Sequence, residues 1–301
     1  MRENKIEIKK LGKNFGQTAA LKNISLSVQK GDIFGIVGPD GAGKTTLIRT
    51  ILGLYLPSEG ELAVLGEKEL ENAKNRVGYV PQQFSLNTDM TVWENIALFA
   101  NLQGMKPREF EQRADTLLNM VWLSKFTDRL AGDLSGGMKQ KLALICGIIH
   151  SPELLMLDEP TTGVDPVSRR EFWQMLYKLN KEGLTIVVST PYMDEVELCR
   201  NIAFLHLGSI RAIGSPHELL QLYPHKMLKI SGINIQKMLE CMKHFPQGLA
   251  YIKGDSLVVS AQTEEDIKSV LAAAGSPDAE INPAQPSLED LFGYLSGGEA
   301  L

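Results

Sequence analysis

The chain has 301 residues, 44% of them hydrophobic and 22% charged, enough for one full core and a smaller second domain. A formal net charge of −5 lacks the basic excess of a duplex binder, so nucleic acid is not the expected partner. The opening residues MRENKIEIKK have no apolar centre like that of a signal peptide, and no run reaches the roughly 18 apolar residues of a membrane span, so a membrane role is expected to come through a partner.

From Ile6 to Val28 the pattern predicts short strands around a turn at Gly12 to Gly16, with Ile24, Leu26 and Val28 alternating as in a half-buried strand. Phe15, an aromatic upstream of a glycine-rich loop, suits either stacking on a purine ring or packing within the protein. Ile33 to Val37 is an apolar run suited to a buried parallel strand, and Leu47 to Leu52 carries helical spacing. Between them stands GPDGAGKTT, made of Gly38, Pro39, Asp40, Gly41, Ala42, Gly43, Lys44, Thr45 and Thr46. Glycines there let backbone N–H groups curl around phosphate oxygens without a Cβ in the way, and the next helix aims its positive end at the same anion. The spacing GxxxxGK[ST] assigns Lys44 to the β- and γ-phosphates and Thr45 to Mg²⁺. Leu54 to Gly60 breaks the pattern, and Glu61 to Leu65 resumes it as a strand, so a β-rich annex accompanies the nucleotide core.

Arg76 to Val80 predicts a strand ending at Pro81-Gln82-Gln83, which places the Gln82 amide where it can meet Mg²⁺ or water. Thr91 and Glu94 have capping-box spacing before an apolar helix at Ile96 to Leu102, and Arg108 to Leu123 continues with near-helical spacing, so residues from about 83 to 150 form a helical subdomain. This insert ends at LSGGMKQ from Leu134, where Ser135, Gly136 and Gly137 open a helix and offer a second anion site. Leu154 to Leu157 predicts a buried strand with Asp158 and Glu159 at its C-terminal end, where open α/β sheets place their ligands. Asp158 suits holding Mg²⁺ through water, and Glu159 suits polarising an attacking water.

Gly163-Val164-Asp165-Pro166 makes a turn before a helix at Arg169 to Leu179, and Leu184 to Ser189 and Cys199 to Leu207 supply two more strands. Cys146, Cys199 and Cys241 lie far apart without CxxC spacing and read as buried thiols, not as a zinc site or a disulfide framework. Beyond Pro224 the pattern resets. Strands at Met227 to Ile230, Ala250 to Ile252, Leu257 to Val259 and Ala279 to Ile281, with helices at Ile235 to His244 and Ile267 to Ala274, give the βαββαβ order of a ferredoxin-like unit. Pro286 to Leu295 adds a terminal helix. The expected domains are therefore 1–223 and 224–301.

GPDGAGKTT from Gly38, Gln82, LSGGMKQ from Leu134, LLMLDEP from Leu154 and GVDP from Gly163 together resemble the nucleotide-binding subunit of an ABC transporter, over residues 5–223 in family order and spacing. The phosphate loop, the LSGGMKQK segment and PSLEDLF from Pro286 look in detail like subunits of multidrug-type or lipid-type exporters. The resemblance implies an α/β fold: a P-loop NTPase core with β-rich annex and helical subdomain, followed by a small α+β accessory domain. It implies ATP and Mg²⁺ as cofactors, with Phe15 stacking adenine and Gln82 joining the Mg²⁺ and water site. Ser135, Gly136 and Gly137 would touch ATP held on a second ABC ATPase subunit, head to tail, with Asp165 at the seam. The resemblance also implies a separate transmembrane permease, and hence a cytoplasmic subunit peripheral on the inner face of the cell membrane.

Two positions depart from the family pattern. Thr190 is followed by Pro191, where a histidine usually donates to the γ-phosphate, and loss of such a donor costs on the order of 10²- to 10³-fold in rate. This favours a heterodimer over a homodimer, with the fast site completed on the partner. Asp40 stands where asparagine or serine is commoner and is expected to shape the turn by bonding to backbone. The competing readings are a soluble ABC ATPase acting in translation, repair or cofactor assembly, and a mainly regulatory nucleotide-binding subunit. Co-purification with a polytopic membrane protein separates export from the first, and nucleotide binding without turnover marks the second.

Overall fold

The computed structural model describes residues 3–232, 250–261 and 280–296, with Gln236 and Leu239, and the chain divides into two units, Met1–Ile213 and Gly214–Leu301. The first unit begins with the antiparallel strands β1 (Asn4–Phe15) and β2 (Thr18–Gln29). The turn between them is Gly16-Gln17, shorter than expected, because Gly12 lies inside β1 opposite Glu59, where an added Cβ would come within 2.3 Å of the Glu59 carboxylate. Then follow β3 (Ile33–Val37), α1 (Lys44–Ile51), β4 (Glu59–Val64) and β5 (Val77–Val80). Strands β2, β1 and β4 form the three-stranded annex. Ile6, Leu11, Leu21 and Ile24 from its strands share one core with Leu47, Ile48 and Ile51 of α1.

The helical subdomain holds α2 (Val92–Leu102), α3 (Pro107–Met120) and the start of α4 (Gly136–Ile148). Helix α2 starts earlier than its apolar spacing suggests because the capping box forms: Glu94 N donates to Thr91 Oγ1 at 3.1 Å and Thr91 N donates to Glu94 Oε2 at 2.8 Å. After it come β6 (Leu154–Asp158), α5 (Pro166–Lys181), β7 (Thr185–Thr190), the short α6 (Met193–Val196), β8 (Asn201–His206) and β9 (Ser209–Gly214). The six-stranded sheet runs β5-β6-β7-β3-β8-β9. Strands β3, β6 and β7 are buried at every residue, which is why they read as unbroken apolar runs and not as alternation. Their parallel register pairs Val37 with Thr190 and Asp158 with Ser189, so three strands end level. The chain leaves that one edge three times, into the phosphate loop, into Glu159 and into Pro191.

In the second unit, α7 (Pro216–Leu220) precedes β10 (Lys226–Ser231), β11 (Ala250–Lys253), β12 (Ser256–Ala261), β13 (Glu280–Ala284) and α8 (Leu288–Leu295). The sheet order is β11-β12-β10-β13, with every neighbouring pair antiparallel. Tyr223 falls in this unit, and its ring meets Tyr294 of α8 edge-on at 6.0 Å, so the chain divides ahead of the expected Tyr223 boundary. Of the helix expected at Ile235 to His244 only Gln236 and Leu239 are described, both helical, and the one expected at Ile267 to Ala274, together with Cys241, lies outside the described residues. Cys146 and Cys199 are free and buried, and burial raises the pKa of both thiols. Among the described residues no helix is long and apolar enough to cross a membrane.

Candidate active site

The phosphate loop is held by close backbone approach. A Cβ on Gly38 would lie 2.1 Å from the Leu205 carbonyl, and Gly43, at φ 107°, forms the N-cap of α1 with the Ala20 carbonyl 3.0 Å from where its Cβ would be. Lys44 is only 4% exposed. Its Nζ donates to the Gly38 carbonyl at 2.8 Å and the Pro39 carbonyl at 3.1 Å, and stands 3.1 Å from Glu159 Oε1. The ammonium is thus fixed inside the loop that presents α1's free N–H groups, a compact site for anionic oxygens. Asp40 does not shape the turn as expected. Its side chain is 95% exposed and reaches toward Lys44, 3.8 Å away, instead of bonding to backbone.

Asp158, fully buried, accepts from Ser189 Oγ at 2.7 Å and from Thr45 Oγ1 at 3.1 Å, both on Oδ1. Its other oxygen, Oδ2, is buried without a hydrogen-bond partner. Burial raises the Asp158 pKa, the two hydroxyl bonds oppose that, and the neighbouring Glu159 charge adds to it. A partnerless buried carboxylate oxygen beside a threonine hydroxyl is what a hard divalent cation relieves, so the residues fit Mg²⁺, with Thr45, Asp158 and the Gln82 amide as the donors that would hold it. Among the described residues no cluster of three or more His, Cys, Asp or Glu side chains is placed to hold a metal ion.

Glu159 follows directly, in the left-handed region at φ 47°, an unusual backbone for glutamate. Its backbone N–H donates to Ser189 Oγ at 3.0 Å, and its carboxylate accepts from Gln82 Nε2 at 2.8 Å and Thr162 Oγ1 at 3.3 Å. The phosphate loop, Gln82, Glu159 and the Thr18 to Ala20 segment of β2 enclose a cleft of about 590 Å³, within the range of ligand pockets. Phe15 does not line it. At the end of β1 the ring is 44% exposed and meets Tyr55 edge-on.

Ser135, Gly136 and Gly137 also stand outside the cleft. Ser135 caps α4 by accepting from Met138 N at 3.4 Å, and a Cβ on Gly137 would come within 2.6 Å of Ser168 Oγ. Asp165 caps α5, accepting from Val167 N and Ser168 N at 3.0 Å each, and these bonds, Ser168's foremost, lower its pKa. Sequence reasoning missed Ser189, which ties Asp158 to the Glu159 backbone. A hydroxyl at the end of a buried strand beside the Asp-Glu pair was the available signal. It also missed Glu195, buried to 1% exposure, which accepts from Thr161 Oγ1 and Thr190 Oγ1 at 2.6 Å each and so braces the segments on both sides of the site.

A family profile described as ABC transporter matches residues 21–162. The chain is 40% identical over 93% of its length to the probable multidrug ABC transporter ATP-binding protein YbhF of Escherichia coli (strain K12), and spans about half of that relative, 49%. It is 35% identical to the Nod factor export ATP-binding protein I of Rhizobium sp. (strain N33), covering 98% of this chain and 97% of the relative. Among solved structures, a dimeric ATP-binding cassette bound to ADP and Pi superposes with a TM-score of 0.64 at 30% identity, over 70% of this chain and 98% of the cassette. The ATP-binding subunit of another ABC transporter superposes at 0.66 with 27% identity, over 72% and 92%.

Proposed function

The chain belongs to the ABC transporter family, and from that premise we propose that it binds and hydrolyses MgATP to drive export through a separate transmembrane permease. The observation that carries this reading is the convergence of Lys44, Thr45, Glu159 and Gln82 on one cleft at the end of a parallel sheet, with buried Asp158 hydrogen-bonded to Thr45 behind it. Gly38 to Thr46 wrap the phosphates and Lys44 neutralises the β- and γ-oxygens. Thr45, Asp158 and Gln82 would hold Mg²⁺, which would supply positive charge for the phosphate oxygens. Glu159 takes a proton from water as the water oxygen bonds to the γ-phosphorus and the bond from that phosphorus to the β,γ-bridging oxygen breaks, leaving ADP and phosphate. Phe15 stacks the adenine.

Export is supported by the names of the relatives, one a multidrug transporter component and others Nod factor export proteins. Ser135 to Gly137 and Asp165, standing outside the chain's own cleft, are assigned to the site of a facing ATPase subunit. A solved cassette of the same fold is dimeric. Pro191 favours a heterodimer whose partner supplies most of the turnover. The permease holds the pair at the inner face of the cell membrane, and no nucleic acid takes part. ATP binding is assigned to the first unit, Met1–Ile213, and the second unit to an α+β accessory domain of ferredoxin-like order that regulates the ATPase or stabilises the dimer.

Lys44→Ala tests the reading. The variant should lose tight MgATP binding in a calorimetric titration, because the Lys44 ammonium is the charge held inside the loop by the Gly38 and Pro39 carbonyls. Unchanged affinity would remove the phosphate-loop assignment, and with it the proposed activity.

A further inference from the structure

Phe15 sits at the head of a chain of contacts that a simple stacking residue does not need. Its ring meets Tyr55 edge-on, with centroids 5.2 Å apart and planes at 82°. Tyr55 lies in the loop after α1 and is half-buried. Its hydroxyl accepts from Arg49 Nη1 at 3.0 Å, so the loop is tied to the helix that begins at Lys44. Arg49 also faces the Tyr79 hydroxyl on β5, the strand that leads to Gln82. Lys13 closes the arrangement: its Nζ donates to the Leu56 carbonyl at 2.8 Å and stands 5.0 Å from the Phe15 ring centroid and 5.8 Å from that of Tyr55. Two further bonds stitch the same loop to β1, Asn14 N to Ser58 Oγ at 3.0 Å and Ser58 N to the Gly12 carbonyl at 2.8 Å.

We propose that Tyr55 is a positioning residue for nucleotide binding, setting the plane of the Phe15 ring on which the base stacks. The proposal rests on the assignment of Phe15 to the adenine. An exposed phenyl ring at a strand end turns freely about its side-chain bonds, and ordering it on binding reduces affinity. Here the perpendicular Tyr55 ring and the Lys13 ammonium over the Phe15 ring hold that ring beforehand. Aromatic pairs of this geometry contribute about 0.5–1.5 kcal/mol beyond their burial, which corresponds to roughly a two- to tenfold change in affinity.

The test uses the full-length protein and two probes, MgATP and magnesium tripolyphosphate, which shares the phosphate chain and lacks the base. Calorimetric titration of Tyr55→Leu should weaken MgATP about three- to tenfold and leave tripolyphosphate within about twofold. Tyr55→Phe, which keeps the ring edge, should recover most of the loss. Retained tripolyphosphate binding shows that the variants are folded. If Phe15→Ala weakens MgATP alone while Tyr55→Leu changes neither probe, Phe15 stacks the base without help from Tyr55 and the proposal is overturned. Equal weakening of both probes by Tyr55→Leu overturns it too, since Tyr55 then acts on the phosphate loop. If Phe15→Ala changes neither probe, the base assignment falls and the proposal with it.

Discussion

Gln82 donates its side-chain amide to Glu159 across 2.8 Å, so the loop leaving β5 and the loop leaving β6 meet at one carboxylate. That carboxylate also pairs with Lys44 at 3.1 Å and accepts from Thr162. Its orientation is therefore fixed by three partners, and its charge is what the proposed water activation uses. Glu159→Gln keeps the shape and removes the base. Turnover should fall by at least on the order of 10²-fold, with MgATP affinity held and an ATP-bound dimer accumulating. Steady-state ATPase assays with size-exclusion chromatography check this, and a variant that hydrolyses at the parent rate would deny Glu159 the role.

Asp158 gives the prediction for metal. Its Oδ2 is buried and partnerless, so the native site favours a cation there, while Oδ1 keeps its bonds to Ser189 and Thr45. Chelation by EDTA should weaken ATP binding to the parent protein strongly. In Asp158→Asn the neutral amide no longer calls for a cation, so the ratio of affinities with and without Mg²⁺ should shrink at least about tenfold, in keeping with 1.4 kcal/mol or more of lost interaction. Titrations of both proteins in both buffers decide it, and an unchanged ratio would place the metal elsewhere.

The residues that carry the proposed chemistry were legible because the motifs are short and local. The phosphate loop needs a strand, a glycine turn and a helix within one stretch, and the structure places them so, from Ile33 to Ile51. Asp158 and Glu159 were legible because a fully buried strand leaves its first polar residues at its end. What was not legible depends on register between distant segments. Nothing in the local pattern pairs Asp158 with Ser189, or brings Thr161 and Thr190 to one buried Glu195. The turn at Gly12 was misplaced for a similar reason. Its glycine serves a cross-strand approach to Glu59, and a glycine there looks the same in sequence as one in a turn.

Glu153 sets a pH dependence away from the cleft. Hydrogen bonds from Arg76 Nε at 2.7 Å and Lys5 Nζ at 2.9 Å lower its pKa to about 2. A depressed carboxylate contributes stability above its unfolded value of 4.5 and loses it as pH falls toward about 2. Its side chain is 43% exposed, so solvent screening limits the contribution to on the order of 1 kcal/mol. Glu153→Gln should therefore lower stability by about that amount at pH 7, with the gap from the parent narrowing below pH 4.5. Urea unfolding at a series of pH values measures it, and a gap that stays constant with pH would show that lost packing, not charge, is responsible.

Pro191 is the residue on which the proposed division of labour turns. The register that pairs Val37 with Thr190 sets residue 191 beside the start of the phosphate loop. Proline offers no side-chain donor there and removes its own backbone N–H as well. The flanking backbone is firmly held: Thr190 Oγ1 donates to Glu195 Oε2 at 2.6 Å and accepts from Tyr192 N at 3.0 Å, while the Arg169 guanidinium stacks on Tyr192 with 4.1 Å to the ring centroid. A histidine introduced at 191 would thus inherit an ordered segment and need only its side chain to be placed. Pro191→His should raise single-turnover ATPase in the purified subunit by on the order of tenfold or more, part of the 10²- to 10³-fold that one such donor supplies elsewhere. In the presence of a partner ATPase subunit the gain should be smaller, because the partner's own site already carries most of the turnover. If the parent subunit alone hydrolyses as fast as the variant, Pro191 imposes no kinetic penalty and the asymmetric pair loses its physical basis.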